Sequence, residues 1–336
     1  MSIEETAARV ATIGAGDPVR VSDAVAAGLT RGALRAAVSS GLLIRAAHGF
    51  VVPNYGTAAD PTEILIARCR AVLERRPHCV LSHATAATLV SLPTAARSTS
   101  TIHCIDPNPR PSPGVVCHRG RVPDTDVAEL DGLRFTSPLR TAVDLARLST
   151  LPQALITMDA ALRRRTLDLS DARRRTDDRR VEDPTAQTQA RAELDALVTR
   201  LGSRPGSVQV RQAAGVASPL AESPAESFSR GHFLLVGITP LGVQVRVRDA
   251  DGRERRLDFL LAPGLAGEVD GMIKYDGTDA VRNLREEKNR DLLLERVDVR
   301  TVRWTGVEVF RDPAAVTRFV GNAIRQHLSA RSRRPA

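Results

Sequence analysis

The first fifty-odd residues alternate helical and extended patterning in a fixed order. Apolar positions from Ile3 to Ile13 recur at helical spacing. Ser22 is placed to cap a second helix ending near Ala26–Gly28, and Thr30 to cap a third. That third helix runs through Leu34 and Val38 to about Ser40, with Gly41 as its stop. Leu42–Arg45 and Phe50–Val52 then flank Ala46–Gly49 as a small hairpin closed by Pro53. Further on, Asp60-Pro61-Thr62-Glu63 sets a cap, a proline and an acid at the start of a helix to about Arg76. Ser82 opens another helix through Leu89. Short β-like runs follow at Thr101–Ile105 and Val115–His118, and Ser137-Pro138 begins a helix through Leu148. Asp183-Pro184 opens a helix to about Leu201, which Gly202–Gly206 breaks.

From Ser223 the order becomes helix, strand, strand, strand, helix, strand. The helix runs to about Val236, and strands follow at Val243–Val247, Leu257–Leu261 and Glu268–Ile273. A helix over Val281–Arg296, a buried-type strand over Val299–Trp304 and a last helix over Pro313–Leu328 complete the chain. The pattern predicts an α+β, multidomain protein. A winged helix-turn-helix occupies 1–55, an α/β middle region 56–182, a helix and linker 183–220, and a second α/β domain 221–330. The main boundary falls near 183–205. In a winged helix-turn-helix the third helix enters the major groove. Arg31 and Arg35 would then read bases, while Arg45 and His48 suit phosphate contacts. The plain alternative is a small helical cap with solvated arginines.

Composition sharpens this picture. A chain of 336 residues holds about two or three domains. At 3% aromatic, its cores must be built from Leu, Val and Ala. Lys+Arg 48 against Asp+Glu 39 gives a net charge of +9, which favours an acidic polymer, nucleic acid first, as partner. The four cysteines, Cys69, Cys79, Cys104 and Cys117, form no CxxC pair and read as buried or incidental thiols. His83, His103 and His118 are isolated along the chain and read as core or surface residues rather than a metal site. The arginine-rich stretch 163–183 carries interleaved acids, which suits a solvated helix or linker, with phosphate contacts as the other reading. There is no signal-like start and no 18-residue apolar run, which predicts a cytoplasmic protein without a membrane partner. With no GxxxxGK[ST], and no GxGxxG after a strand, a nucleotide cofactor has no motif to rest on.

The candidate chemistry lies in Leu257–Tyr275. Asp258 sits in one short apolar run, a Pro/Gly turn spans Ala262–Gly267, and Glu268 and Asp270 follow on one face of the next run. Pairing through the turn would gather up to three carboxylates. Such a cluster repels itself unless a hard cation with oxygen ligands sits between its members. Acids common at any hairpin turn are the plain alternative. Glu226 is either half of a capping box with Ser223 or support for the same cluster. Gln244 faces the same general end, Gly271 supplies a bend, and Trp304 reads as core.

Two resemblances give these residues a functional frame. The stretch GLTRGALRAAVSSGLLIRAAHGFVVP resembles the N-terminal domain of AbiEi-type antitoxins, the transcriptional-repressor half of type IV toxin–antitoxin systems. SHATAATLVSLP, CHRG and LRFTSPLRTAVDLAR look like the middle region of the same actinobacterial proteins. Over roughly 220–312, the order of Glu226, Asp258, Glu268 and Asp270, followed by EEKNRDLLL and VRTVRWT, resembles the restriction-endonuclease-like PD-(D/E)xK superfamily, closest to very short patch repair endonucleases. This second resemblance implies Mg²⁺-dependent cleavage of DNA phosphodiesters. Asp258, Glu268 and Asp270 would serve at the metal, which polarises the phosphate and activates water. The superfamily's lysine is replaced by Asp270, so Lys274 or Lys288 would have to substitute; helical spacing puts Lys288 on the apolar stripe between Leu284 and Leu292. The resemblances therefore imply a double-stranded-DNA-binding nuclease. The alternative they carry is an antitoxin-like regulator with a silent nuclease fold and a cognate toxin as partner.

Overall fold

The computed structural model describes residues 1–54, 61–95, 101–170, 177–271 and 288–333. It is an α+β protein with three sheets among these residues, divided into two compact units, Met1–Asp144 and Leu145–Ala336.

The first unit begins with α1 (Ile3–Gly14), α2 (Val21–Ala26) and α3 (Arg31–Ser39). Ser2 and Glu5 form a capping box on α1, and Thr30 Oγ1 accepts the Ala33 N–H at 3.1 Å to start α3. Helix α2 starts one residue before the expected cap. Arg20 occupies the cap position without a side-chain capping bond, its guanidinium going to Glu74, and Ser22 Oγ turns to Asp23 instead. The cause is β1 (Val19–Arg20), a two-residue strand too short to show any alternation, which delivers the chain directly into α2. It pairs with β3 (Phe50–Pro53), which in turn pairs with β2 (Leu43–Ala47), giving an antiparallel sheet in the order β1-β3-β2. Val10, Ala24, Leu29, Leu34, Ala37, Leu43 and Val51 close the core between helices and sheet.

Helix α4 (Pro61–Arg75) leads into a mixed sheet of order β6-β5-β4-β8-β7. Its strands are β4 (Val80–Leu81), β5 (Ile102–Asp106), β6 (Val115–Arg119), β7 (Val127–Leu130) and β8 (Leu133–Thr136), with α5 (His83–Leu89) and α6 (Pro138–Ala146) alongside. One core holds Leu65, Val72, Leu81, Ile102, Leu133 and Phe135 together with Cys69, Cys79 and Cys104, and Cys117 packs against it. The four thiols are gathered rather than scattered. Cys104 and Cys117 are register partners on parallel strands, with their sulfurs 3.4 Å apart, and all four are free.

The second unit opens with α7 (Leu151–Leu169), α8 (Asp177–Val181), α9 (Pro184–Leu201), capped by Asp183 as its sequence predicts, and α10 (Ser207–Val216). The break expected near 183–205 lies inside this unit. Helix α11 (Pro224–Leu235) crosses α7 at Gly231, where a Cβ would stand 2.4 Å from Pro152 Cα. Arg230 beside it donates both Nη2 bonds to the buried Asp159, at 2.9 and 2.7 Å.

The sheet of this unit has the order β12-β11-β10-β9, from β9 (Gly242–Arg248), β10 (Glu254–Ala262), β11 (Leu265–Asp270) and β12 (Arg300–Thr305). Helix α12 (288–295) precedes β12, which runs parallel to β11; α13 (Gly306–Arg311) and α14 (Pro313–Ser332) follow. The expected six-residue turn after β10 is two residues long. Gly264 adopts φ +76° and leaves no room for a Cβ, which would meet Asp298 O at 2.5 Å. Strand β11 therefore starts at Leu265, three residues early. Gly267 then lies flat beneath Trp304, whose ring packs with Phe233 and Phe259 in a core completed by Leu261, Val309 and Val316. No helix among the described residues is long and apolar enough to cross a membrane.

Candidate functional site

Sheet register builds a polar row across four strands of the second unit. Leu257 pairs with Val245 and Phe259 with Val243, so Asp258 flanks Gln244. Phe259 opposite Gly267 carries Asp258 alongside Glu268, and Glu268 is the register partner of Arg303. Gln244 adopts φ +54°, an uncommon conformation for a residue with a side chain, and its carboxamide donates to both Glu226 Oε2 (2.9 Å) and Asp258 Oδ1 (3.2 Å). Asp258 Oδ2 accepts the Val269 N–H at 2.8 Å. The sequence ranked Gln244 below the acids, yet it is the bridge between two of them.

Glu226 makes half of the expected capping box. Ser223 Oγ accepts the Glu226 N–H at 3.1 Å, but the Glu226 carboxylate takes the Glu222 N–H at 3.0 Å rather than that of Ser223. Burial pushes its carboxyl above the usual range, and the Asp258 charge adds to the rise. Asp258 and Glu268 are likewise raised, by burial first, against the pull of neighbouring arginines.

Arginines dominate the other end of the row. Glu268 Oε1 accepts from Arg290 Nη2 at 2.6 Å, and Oε2 from Arg303 Nη2 at 3.1 Å. Arg303 also binds Asp291 through two bonds of 2.6 and 2.7 Å, which raise its pKa, and its Nε lies 3.8 Å from Asp270 Oδ1. Glu268 and Asp270 thus share a face and a cation. A Mg²⁺ ion does not fit this arrangement, because both oxygens of its central ligand are already taken by guanidinium groups. Among the described residues no group of three or more His, Cys, Asp or Glu side chains is placed to hold a metal. Lys288 is exposed, and so is Leu292 one turn on, which corrects the inward position expected for that lysine: the buried positions of α12 are Leu293 and Leu294. Lys274 lies outside the described residues.

Arg290, Arg303 and Asp291 were not singled out by their sequence. One signal was present: in Val302-Arg303-Trp304 the apolar neighbours face the core, which turns Arg303 onto the face of the acids.

In the first unit Arg31 and Arg35 lie one turn apart on the exposed face of α3, and Arg45 is exposed on β2. His48, in the β2–β3 turn, is exposed, but Arg75 bonds both its carbonyl and its ring Nδ1, the latter at 2.9 Å. His83, His103 and His118, read as isolated, instead converge. The His83 and His118 rings stack at 3.7 Å, and His103 Nδ1 lies 3.2 Å from His118 Nε2. Face-to-face rings cannot aim both nitrogens at one ion. Burial lowers the pKa of His103.

Residues 14–54, which hold α2, α3 and the hairpin, match the family described as "Transcriptional regulator, AbiEi antitoxin". Two proteins of Mycobacterium tuberculosis, "Uncharacterized protein Rv2248" (strain ATCC 25618 / H37Rv) and "Uncharacterized protein MT2308" (strain CDC 1551 / Oshkosh), are each 30% identical over 234 residues, covering 69% of this chain and 74% of theirs. The chain belongs to their family. Within that family, this member carries an AbiEi-antitoxin domain at its N-terminus. The "Crystal structure of RV2827C protein from Mycobacterium tuberculosis" aligns at 20% identity over 63% of this chain and 82% of that one; its TM-score of 0.34 carries no argument.

Proposed function

We propose that the chain is a sequence-specific DNA-binding transcriptional regulator of the AbiEi-antitoxin kind. The carrying observation is that the AbiEi-type segment presents Arg31 and Arg35 together on the exposed face of α3, the position from which a winged helix-turn-helix reads the major groove. The net charge of +9 supports a polyanionic partner, and a cognate toxin protein belongs to the same reading. The second unit is, in this reading, a nuclease-type domain that does not turn over: the cation its acids need is supplied by Arg290 and Arg303, which cannot activate water as a metal does.

Selection from a random duplex pool tests the first half. The wild type should enrich a defined sequence, and the Arg31→Ala/Arg35→Ala variant should enrich none. Enrichment of the same sequence by that variant would remove α3 as the reader.

A Mg²⁺-dependent nuclease is the competing reading, favoured by two buried carboxylates, Glu226 and Glu268, with the half-buried Asp258 on an adjoining strand. Supercoiled plasmid with Mg²⁺ or Mn²⁺ decides between them. Nicking that Glu268→Ala abolishes would establish the nuclease; intact plasmid with either ion would leave the regulator.

A further inference from the structure

The region between the hairpin of the first unit and α6 has no role in that reading, yet it holds a strongly basic concavity. An open cleft of about 770 Å³ lies at the C-terminal end of α4, against the ends of β5 and β6. Those two strands run parallel, so both deliver their following loops to the same edge. Arg75, Arg76, Arg110, Arg121 and Arg134 line the cleft, and Asp106 is the one acid among the lining residues.

That acid is already neutralised. Asp106 is buried, accepts from Arg76 Nη1 at 3.0 Å, and receives the Asn108 N–H at 2.8 Å. Arg76 also donates to the Arg110 carbonyl at 2.6 Å, which fixes the loop that carries Arg110. Arg134 pairs with a fully exposed Asp124, at 3.6 Å, a contact worth little in water. Arg110 and Arg121 are exposed at the rim. The loop is held in place while its guanidinium groups face outward.

The cleft also touches the hairpin turn. Arg75, part of its wall, is the residue that bonds the carbonyl and ring of His48. The basic wall therefore continues from the cleft to the β2–β3 turn, within one unit.

We propose that this cleft is a second phosphate-binding surface of the first unit, taking the sugar–phosphate backbone of a duplex that lies along the His48 turn. Forked guanidinium groups suit phosphate oxygens, and contacts of this kind position a protein on DNA without reading its sequence. The proposal rests on the DNA-binding reading of α3 and extends it to the β5–β6 edge.

The test uses the full chain with Arg110→Ala/Arg121→Ala. Neither side chain supports the loop, since Arg76 holds it through the Arg110 carbonyl, which the substitution keeps. Fluorescence anisotropy is measured on the selected duplex and on a scrambled one across a salt series. The variant should bind both duplexes more weakly, by about tenfold or more at 0.1 M salt, and its log–log salt slope should shrink by about 2. Unchanged affinity and slope, with the wild type bound normally, would overturn the cleft and leave the α3 reading standing. A wild type that binds neither duplex would overturn both. Free triphosphate provides the remaining arm: tight triphosphate binding that the variant loses, with duplex binding untouched, would assign the cleft to a soluble phosphate ligand and overturn the proposal.

Discussion

Glu268 and Arg303 are register partners on parallel strands, and the same guanidinium that holds Glu268 also clamps Asp291 on the preceding helix. One arginine thus ties β11, β12 and α12 together. Arg303→Met would leave a largely buried Glu268 with Arg290 alone and strip Asp291 of both bonds, at a cost of about 3 kcal/mol. Replacing both partners, Arg303→Met with Glu268→Leu, should recover part of that loss, because the buried Glu268 charge is gone while the half-buried Asp291 and Arg290 still lose a partner. Urea unfolding followed by Trp304, the one tryptophan of the chain and part of this sheet, reads the result directly. A single-variant cost below about 0.5 kcal/mol would mean that Arg303 is a surface residue in its energetics.

Glu226 lends the same sheet a pH dependence of definite sign. Its folded-state pKa lies above its ordinary value of 4.5, so through the window above pH 4.5 the folded chain keeps a proton that the unfolded chain has released. Stability from this group is present below the window and falls as pH rises through it. Glu226→Gln keeps an oxygen to accept from both the Glu222 N–H and Gln244, and it removes the charge that faces Asp258. The variant should melt higher than wild type at pH 7–8 and lose that advantage below pH 4.5. A melting difference independent of pH would show that burial of this charge is not what the sheet resists.

The acids of the row were legible because their relation is local. Glu268 and Asp270 share a face by strand period alone, and Asp258 reaches them through one hairpin. Their arginines were not legible. Arg303 arrives on a strand entered after an intervening helix, and among 48 basic residues only Lys274 and Lys288 are lysines, so arginine at any one position says little. Attention to a missing lysine drew the reading toward Lys288, which faces solvent. The gathering of the cysteines and of the histidines was not legible for the same reason: His83, His103 and His118 come from three separate elements, and sequence spacing encodes no contact among them. Helix starts fared better where a cap bond exists, at Thr30, Asp183 and Ser223, and slipped at Ser22, where the preceding strand sets the boundary.

The gathered thiols should be inert in the folded chain. Burial pushes Cys69 and Cys117 up to about 12, and Cys104 is raised by its bond with Cys79 and by burial. At pH 8 a thiol with such a pKa is about one part in ten thousand thiolate, the reactive form. Ellman's reagent should therefore titrate little within minutes on the native chain and all four cysteines in denaturant. Rapid release of one equivalent or more from native protein would contradict the packing of this core.

Gly231 fixes how closely α11 approaches α7. A methyl group there would sit 2.4 Å from Pro152 Cα and 2.9 Å from its Cβ, and a proline backbone cannot yield as a flexible side chain does. Gly231→Ala should cost about 2–3 kcal/mol through overpacking, although alanine favours helices by up to about 1 kcal/mol over glycine. Gly215, in α10, has open space around it, so Gly215→Ala is the control that should be neutral or mildly stabilising. Thermal melts of the two variants separate crowding from helix propensity.

Arg31 and Arg45 should fail in different ways if α3 reads DNA. A base-reading arginine contributes discrimination, whereas a phosphate-contacting one contributes affinity on any sequence. Arg31→Ala should cost about 1–3 kcal/mol on the selected duplex and little on a scrambled one, so the ratio of the two affinities collapses. Arg45→Ala, on the exposed edge of β2, should weaken both duplexes alike and reduce the salt slope by about 1, leaving the ratio intact. His48 adds a further distinction. Arg75 already bonds its ring, so the imidazole is not free for the duplex; His48→Ala removes it while Arg75 keeps its bond to the residue-48 carbonyl, and binding should change less than for Arg45→Ala. If Arg31→Ala behaved as Arg45→Ala does, α3 would be a phosphate-contacting helix, and base reading would have to come from another element of the first unit.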